Sequence, residues 1–224
     1  MDYLDKMTDY DAEYKIILCG DTTVGKTSLF KKITKGIFME RNVQTVGRDR
    51  KTIEFEITVT ENEKEVQKRI NIYLEDTAGQ ERYKAITKTY FKGANGVILL
   101  YNICDKRSFQ HIQEWLIMVR DTIGNYEDNK YLIFIMGTKS DLVSDDPTKR
   151  EVTEEEAIDF CEKNDLIWAE ECSSKSFTNE DFKKIFTKFA KQLYETVGFN
   201  KIQRNTVSTL AKKKSKAHKK HCGC

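Results

Sequence analysis

The chain has 224 residues, of which 39% are apolar and 33% are charged, so it is long and apolar enough to bury a core. Its apolar runs are much shorter than the roughly 20 residues of a membrane-spanning helix, so no such helix is predicted. The N-terminus lacks the basic start and apolar stretch of a secretory signal peptide. We therefore expect a cytosolic protein of one large domain or two small ones.

The net charge of +2 is unevenly distributed along the chain. Residues 199–224 carry eight lysine and arginine residues and no acidic residue, which leaves a net charge of −6 on the remainder. Because this segment is basic and poor in apolar residues, we expect a disordered tail that meets an anionic partner, either a membrane or a nucleic acid. Residues 1–13 are expected to form a flexible extension, and residues 14–198 a single domain.

Strand and helix patterns alternate along the body of the chain. The predicted strands cover 15–19, 50–59, 68–75, 97–103, 131–136 and 166–170, with a charged connection around 61–68. The predicted helices cover 25–35, 82–92, 108–124, 153–164 and 179–196. This alternation predicts an α/β fold with a mostly parallel sheet, helices on both faces, and ligands bound beyond the C-terminal strand ends.

A phosphate-binding loop is predicted between the first strand and the first helix. The pattern Gly-x4-Gly-Lys-[Ser/Thr] is matched by Gly20, Asp21, Thr22, Thr23, Val24, Gly25, Lys26 and Thr27. Backbone N–H groups of such a loop and the helix N-terminus can cradle phosphate oxygens. Lys26 can reach the β- and γ-phosphates, and the Thr27 hydroxyl can ligate Mg²⁺. The alternative is a chance turn, and kinases, motors and switches all use this loop.

A second motif follows the third predicted strand. The Asp76 carboxylate would hold Mg²⁺ through a bridging water if the strand ends beside the phosphate loop. The Gly79 backbone N–H could approach a γ-phosphate, and the Gln80 amide could both donate to and accept from an attacking water. An ordinary Asp-Thr turn with an exposed glutamine is the alternative interpretation.

Two further motifs follow the last two predicted strands. In Thr138-Lys139-Ser140-Asp141, the Asp141 carboxylate can accept two hydrogen bonds from adjacent ring N–H and amino donors, which guanine has and adenine lacks. A helix N-cap is the alternative role for Asp141. The backbone of Ser173-Ser174-Lys175 could contact the carbonyl group of the base.

The order of these four motifs resembles that of the Ras-like small GTPases over about residues 14 to 197. Three segments resemble the Rab family most: Glu81-Arg82-Tyr83, Tyr90-Phe91-Lys92-Gly93-Ala94 and Leu100-Tyr101-Asn102-Ile103. The resemblance implies a single P-loop GTPase domain with a mostly parallel six-stranded sheet. It also implies a GTP/GDP-dependent switch in vesicle traffic, with slow intrinsic hydrolysis and Mg²⁺ as cofactor.

By the same resemblance, Thr45 is the switch threonine that ligates Mg²⁺ when GTP is bound. Phe38 is the aromatic residue that packs on guanine, with a buried core position as the alternative. Residues 38–48 and 77–92 would be the two switch segments, ordered by the γ-phosphate. The implied partners are an exchange factor, a GTPase-activating protein, an escort protein or dissociation inhibitor, and effectors, but no nucleic acid.

Several positions depart from the family pattern. Thr138 stands where most Rab proteins have asparagine, which removes one side-chain amide contact. Thr22 and Thr23 are bulkier than the residues common in the middle of the loop, and they could slow turnover. The connection before Asp76 is several residues longer than usual, and we place the excess in the charged hairpin around 61–68.

Arg50 and Glu75 stand where Rab proteins usually carry aromatic residues that, with the tyrosine matched by Tyr90, form an apolar effector patch. We expect these opposite charges to pair across neighbouring strands, with head groups within about 4 Å. A paired Arg50 and Glu75 would give a charged contact surface and a different choice of effector. The alternative is two independent solvated charges.

The cysteines divide into two groups. Cys19 and Cys104 lie in apolar runs and are expected to be buried, and no paired Cys-x-x-Cys clusters indicate zinc. Cys222-Gly223-Cys224 resembles the Cys-x-Cys ending on which Rab proteins receive two geranylgeranyl groups, which with the basic tail would hold the protein on an intracellular membrane. This location would be the cytoplasmic face, with cycling to the cytosol. A nuclear-localisation or nucleic-acid-binding tract is the alternative for the tail.

Two rival functions remain open from the sequence. The first is a nucleotide-bound interaction scaffold with little hydrolysis, which the threonines at 22, 23 and 138 would favour. The second is a P-loop kinase for a nucleoside or small metabolite, which would need an arginine-rich lid that the sequence does not show.

Overall fold

The computed structural model describes residues 10–38, 48–77, 90–124 and 130–198. The predicted helix at 82–92 is therefore described only at its end, where Tyr90 and Phe91 are helical. Residues 1–9 of the predicted extension 1–13, and the basic tail, lie outside the described residues. Of the rest of that extension, Tyr10 is buried, and Ala12 and Glu13 are buried in a strand that continues to Cys19, so this part is not a flexible extension.

Six strands form one sheet in the order β2-β3-β1-β4-β5-β6. Their bounds are β1 Ala12–Cys19, β2 Arg48–Glu61, β3 Lys64–Thr77, β4 Gly96–Asn102, β5 Leu132–Thr138 and β6 Ile167–Cys172. All neighbouring strands run parallel except β2 and β3, which form an antiparallel hairpin. The predicted mostly parallel six-stranded sheet is confirmed.

Besides the helical end at Tyr90 and Phe91, the described residues form six α-helices that connect or follow the strands. Their bounds are α1 Lys26–Lys35, α2 Lys106–Gln110, α3 Ile112–Ile123, α4 Ser140–Asp145, α5 Glu154–Lys163 and α6 Asn179–Val197, and a short 3₁₀ turn covers Pro147–Lys149. The helix predicted over 108–124 is thus two helices that meet at His111. In the described parts of the chain, no helix combines the length and the apolar character needed to cross a membrane.

The two faces of the sheet carry separate hydrophobic cores, because side chains alternate along each strand. Ile16 and Leu18 of β1 belong to the core that includes residues of α1 and α6. Ile17 and Cys19, from the same strand, belong to the core that includes residues of α3 and α5. Helices therefore cover both faces, as the alternation of strands and helices predicts.

The β2–β3 hairpin differs from the prediction, which placed a charged connection around 61–68. Both strands continue to a two-residue turn at Asn62 and Glu63, whose φ angles of +50° and +63° suit the right-handed twist of a hairpin. The charged residues lie on the strands and pair with each other: Lys68 Nζ is 3.0 Å from Glu61 Oε2. The Tyr194 hydroxyl of α6 donates to Glu61 Oε1 at 2.9 Å, so the end of the hairpin packs on this helix. The many charged residues around 61–68 therefore belong to polar strand faces and not to a loop.

The parallel direction of β1, β3, β5 and β6 brings four chain segments to one edge of the sheet. The phosphate loop leaves β1, Asp76 lies near the end of β3, and Asp141 and Ser173 follow β5 and β6. This edge holds every described residue of the predicted site except Phe38, which follows α1.

Candidate functional site

The phosphate loop bends sharply at two glycines in left-handed conformations. The φ angles are +136° at Gly20 and +107° at Gly25, the residue just before α1. A Cβ atom at Gly20 would lie 2.2 Å from the carbonyl oxygen of Leu100 on β4, so only glycine fits there. Thr23 also has a positive φ of +66°, although threonine is β-branched, and its side chain is exposed. The loop therefore approaches the β4 backbone as closely as the chain permits.

We expect Gly20→Ala to lower the free energy of unfolding by about 2–3 kcal/mol, because the new methyl group overlaps backbone atoms at an unfavourable φ. Gly93→Ala is the matched control, since Gly93 has a φ of +69° but no heavy atom within 4 Å of an added Cβ. Guanidinium denaturation of the two variants measures the difference. Equal losses of stability would contradict the tight approach of the loop to β4.

Lys26 is buried, with 5% of its surface exposed, although it begins a helix. Its ammonium group donates to the carbonyl oxygens of Gly20 at 2.8 Å and of Asp21 at 2.5 Å. The positive charge is thus held within the loop, beside the first N–H groups of α1. A buried cation next to a helix N-terminus forms an environment that suits an anionic phosphate.

Thr27 and Asp76 join the phosphate loop to β3. The Thr27 hydroxyl donates to Asp76 Oδ2 at 2.7 Å, and Asp76 is almost completely buried. Burial raises the pKa of Asp76 to about 6, although the Thr27 hydrogen bond and the Lys26 charge oppose the shift. Asp76 Oδ1 is buried and has no hydrogen-bond partner among the described residues. A hydroxyl beside a carboxylate with an unsatisfied oxygen fits Mg²⁺, which prefers oxygen ligands and water.

Asp141 and Ser173 join the third and fourth motifs. Asp141 lies in the first turn of α4, and its Oδ1 accepts a hydrogen bond from the Ser173 hydroxyl at 2.6 Å. Ser173 is fully buried, and its hydroxyl oxygen accepts from the backbone N–H groups of Lys175 and Ser176, each at 3.1 Å. Asp141 is therefore not an N-cap: Lys139, with a φ of +64°, occupies that position without a side-chain cap.

Thr138 connects the phosphate loop to the end of the sheet. Its buried hydroxyl lies 2.6 Å from the Val24 carbonyl oxygen and 2.7 Å from that of Tyr101. The single hydroxyl proton can bond only one of these oxygens at a time. Threonine thus keeps a contact between β5 and the phosphate loop where the resemblance implied the loss of an amide contact.

Some of the remaining predicted site residues lie in segments that the structure describes, and others lie outside them. Phe38 is 37% exposed, so its alternative interpretation as a core residue is wrong. Ser174 is half-buried and Lys175 exposed beside the buried Ser173. The residues outside the described segments are Thr45, Gly79, Gln80, Cys222 and Cys224. Cys19 is buried as expected, whereas Cys104 is only partly buried.

The predicted pair of Arg50 and Glu75 is confirmed. The two residues are directly opposite in the β2–β3 register, and Arg50 Nε lies 3.4 Å from Glu75 Oε1. Lys15 Nζ lies 3.5 Å from the other carboxylate oxygen, and the Arg50 guanidinium stacks 4.4 Å from the Tyr73 ring centroid. Glu75 is only 1% exposed, which differs from the solvated pair that the sequence suggested. Two cations and a neighbouring ring therefore cover a buried carboxylate.

Two side chains that contact the phosphate loop were not predicted from the sequence. His111 Nδ1 and Trp115 Nε1 both lie within hydrogen-bond distance of the Asp21 carboxylate. The only local signal is their i, i+4 spacing, which places both on one helix face. Nothing in the sequence shows that this face meets a loop some 90 residues earlier.

The described contacts define a P-loop nucleotide-binding protein. Thr27 ties the loop to β3, Thr138 ties it to β5, and Asp141 ties α4 to the segment after β6. These contacts bring the phosphate loop and the segments that carry Asp76 and Asp141 together at the C-terminal edge of the sheet. Ligands of open parallel sheets bind at this edge.

Comparisons with known proteins agree with this class. The sequence model of the Ras family matches residues 15–195. The chain is 33% identical to human Ras-related protein Rab-30 over 204 residues, which cover 91% of each chain. It is 34% identical to Xenopus laevis Rab-19 over 82% of this chain and 78% of that protein, and 31% identical to Dictyostelium discoideum RabC over 87% and 91%.

The chain belongs to the Ras family, among its Rab-type members. It is accordingly a small GTPase, a GTP-dependent switch that regulates vesicle traffic. The predicted family is confirmed, and the kinase alternative is wrong. The roles of individual residues follow as proposals.

Proposed function

We propose that this protein binds guanine nucleotide and Mg²⁺ at the edge formed by the phosphate loop, Asp76 and Asp141. The observation that carries the proposal is the 2.7 Å hydrogen bond from Thr27 to a buried Asp76 with one unsatisfied oxygen. Lys26 and the loop N–H groups hold the β- and γ-phosphates. Asp141 accepts from the guanine N–H and amino groups, while Ser173, Ser174 and Lys175 contact the base carbonyl through their backbone.

Thr27, Asp76 and Thr45 are the residues that would hold Mg²⁺. When bound, the metal neutralises negative charge on the β- and γ-phosphate oxygens. Asp76 contributes through its buried carboxylate, whose neighbouring Lys26 charge and Thr27 hydroxyl favour the ionised form. Thr45 and the Gly79 backbone N–H recognise the γ-phosphate, so the segments around them respond to the bound nucleotide. Phe38, already exposed beside α1, packs on the base.

The chain's own contribution to hydrolysis is to position reactants and stabilise charge. Gln80 orients the attacking water, while Lys26 and the loop N–H groups stabilise charge on the phosphates. No arginine is assigned to this task within the site, so intrinsic turnover is slow until a partner supplies one. The rival is a scaffold with little hydrolysis.

We expect Gln80→Leu to lower single-turnover GTP hydrolysis at least about tenfold while GTP affinity changes less than about twofold, because Gln80 orients water and does not hold nucleotide. Gln110→Leu is the matched control, since Gln110 is exposed on α2. Release of labelled phosphate measures the rate. Unchanged turnover in Gln80→Leu would remove Gln80 from the mechanism. A wild-type protein that hydrolyses no GTP, even with added cell lysate, would favour the scaffold.

We also propose that effectors meet a charged surface around Arg50. Arg50 is 44% exposed, whereas its partner Glu75 is buried and also lies near Lys15. The outward charge at this point is therefore positive, and an apolar partner would have to desolvate it. Effectors that present carboxylate or carbonyl oxygens fit this surface better than apolar ones. An exchange factor, an activating protein and an escort protein or dissociation inhibitor complete the partners that the family implies.

The tail supports a membrane role. We expect mass spectrometry of the C-terminal peptide from cells to show two geranylgeranyl groups, one each on Cys222 and Cys224. Two lipid chains give stable attachment, whereas one is marginal, and eight basic residues add attraction to an anionic leaflet. The protein would then reside on the cytoplasmic face of an intracellular membrane and cycle with the cytosol. Unmodified cysteines at both positions would contradict lipidation and favour the nucleic-acid alternative.

A further inference from the structure

The Asp21 carboxylate, in the second position of the phosphate loop, binds two side chains from outside the loop. His111 Nδ1 lies 2.5 Å from Asp21 Oδ2, and Trp115 Nε1 donates to Asp21 Oδ1 at 2.7 Å. A carboxylate only accepts hydrogen bonds, so His111 Nδ1 carries a proton in this contact. Both oxygens of Asp21 are thereby fixed from the region where α2 meets α3.

Both donors are themselves held rigidly. His111 lies at the junction of the two helices, where its backbone N–H donates to the Arg107 carbonyl at 3.0 Å. Its own carbonyl accepts from the backbone N–H groups of Glu114 and Trp115, at 3.0 and 3.2 Å. Trp115 is 4% exposed and belongs to the core on this face of the sheet. The fold itself therefore holds both donors in position.

Asp21 also contacts Lys26 through its backbone. Its carbonyl oxygen accepts from Lys26 Nζ at 2.5 Å, while its side chain binds the helix junction. A shift of the Asp21 side chain would move this carbonyl and the peptide units next to it. Gly20 is fixed against Leu100, and Val24 against Thr138, so Asp21 provides a third fixed point between them.

We propose that His111 and Trp115 are positioning residues for the phosphate loop and act on bound nucleotide through Asp21. Neither residue is expected to touch the phosphates. They hold Asp21 so that the loop N–H groups converge and Lys26 stays directed into the loop. Their hydrogen bonds to a carboxylate are charge-assisted, which makes them strong enough to affect loop geometry. Loss of either donor allows the loop to relax and the nucleotide to leave faster.

The test is the dissociation rate of a fluorescent GDP analogue from the full-length, Mg²⁺-loaded protein. Trp115→Phe removes the indole N–H but keeps an aromatic ring in the core, and we expect dissociation about tenfold faster. Trp168→Phe is the matched control, because Trp168 Nε1 donates at 3.2 Å to Glu154, outside the phosphate loop. His111→Leu should also accelerate dissociation, whereas His111→Asn, which keeps a donor near the Nδ1 position, should restore a rate close to wild type.

A double-variant comparison separates positioning from general destabilisation. In an Asp21→Ala background, Trp115→Phe should cause no further acceleration, because the contact through which it acts is already lost. If Trp115→Phe does not fold, the same comparison is made with the half-exposed His111 and His111→Leu. The proposal is overturned if Trp115→Phe matches Trp168→Phe, or if either acceleration persists fully in the Asp21→Ala background. It is also overturned if His111→Asn behaves like His111→Leu.

Discussion

Asp141→Asn is expected to lower the affinity for GDP by roughly a thousandfold and to raise the affinity for xanthosine diphosphate. The carboxylate accepts from two guanine donors, and an amide offers one acceptor and one donor in their place. Truncating one partner of a buried charged hydrogen-bonded pair costs about 2–5 kcal/mol, and about 1.4 kcal/mol corresponds to a factor of ten. Xanthine has a carbonyl where guanine has an amino group, so it matches the amide.

Competition against a fluorescent GDP analogue measures both affinities. Asp145→Asn is the matched control, because Asp145 is exposed on the same helix, α4. The Ser173 hydroxyl that donates to Asp141 Oδ1 can donate equally well to an asparagine oxygen, so the variant should fold. If Asp141→Asn still binds GDP as tightly as Asp145→Asn does, Asp141 does not read the base.

Lys26→Met is expected to lower the affinity for GTP by roughly a thousandfold. This magnitude follows from the same cost of about 2–5 kcal/mol for removing one partner of a buried charged pair. The substitution keeps the length of the side chain and removes the ammonium group, which donates to two loop carbonyls; the Lys26 residue as a whole is 5% exposed. Without it, those carbonyl oxygens and the phosphates repel each other. The loop N–H groups and the helix N-terminus remain, so some phosphate binding should survive.

Isothermal titration of nucleotide-free protein in Mg²⁺ measures this loss. Lys35→Met is the matched control, because Lys35 is exposed at the other end of α1. Comparison of GTP with guanosine adds a second check, since Lys26 acts on phosphates and not on the base. Equal weakening of guanosine and GTP would mean that Lys26→Met has damaged the fold and does not report on the phosphates.

Local patterns predicted most of the fold and the centre of the site. The apolar run before Gly20 and the glycine spacing after it specify a strand, a tight turn and a helix N-terminus within a dozen residues. Asp76 and Asp141 were found for the same reason, because each stands at or just beyond the end of a buried strand. The pairing of Arg50 with Glu75 was predicted from where the two residues stand in the family pattern, whereas the two-residue turn that fixes their register was not predicted.

Features that depend on distant contacts were not predictable in the same way. The burial of Glu75 depends on Lys15 of β1, which no local pattern links to the hairpin. The binding of Asp21 by His111 and Trp115 arises from tertiary packing across about 90 residues. In each case the missing information is which faces of distant elements pack together. The periodicity of residues along one segment does not contain this information.

We propose that these motifs form one guanine-nucleotide site. The most direct test is to identify the nucleotide that copurifies with the protein. Heat-denatured protein would release its ligand, and ion-exchange chromatography against standards would identify it. We predict close to one guanine nucleotide per chain, mainly GDP, and its loss in Asp141→Asn but not in Asp145→Asn. Adenine nucleotide in its place, or equal guanine nucleotide in both variants, would mean that these motifs do not form a guanine-nucleotide site.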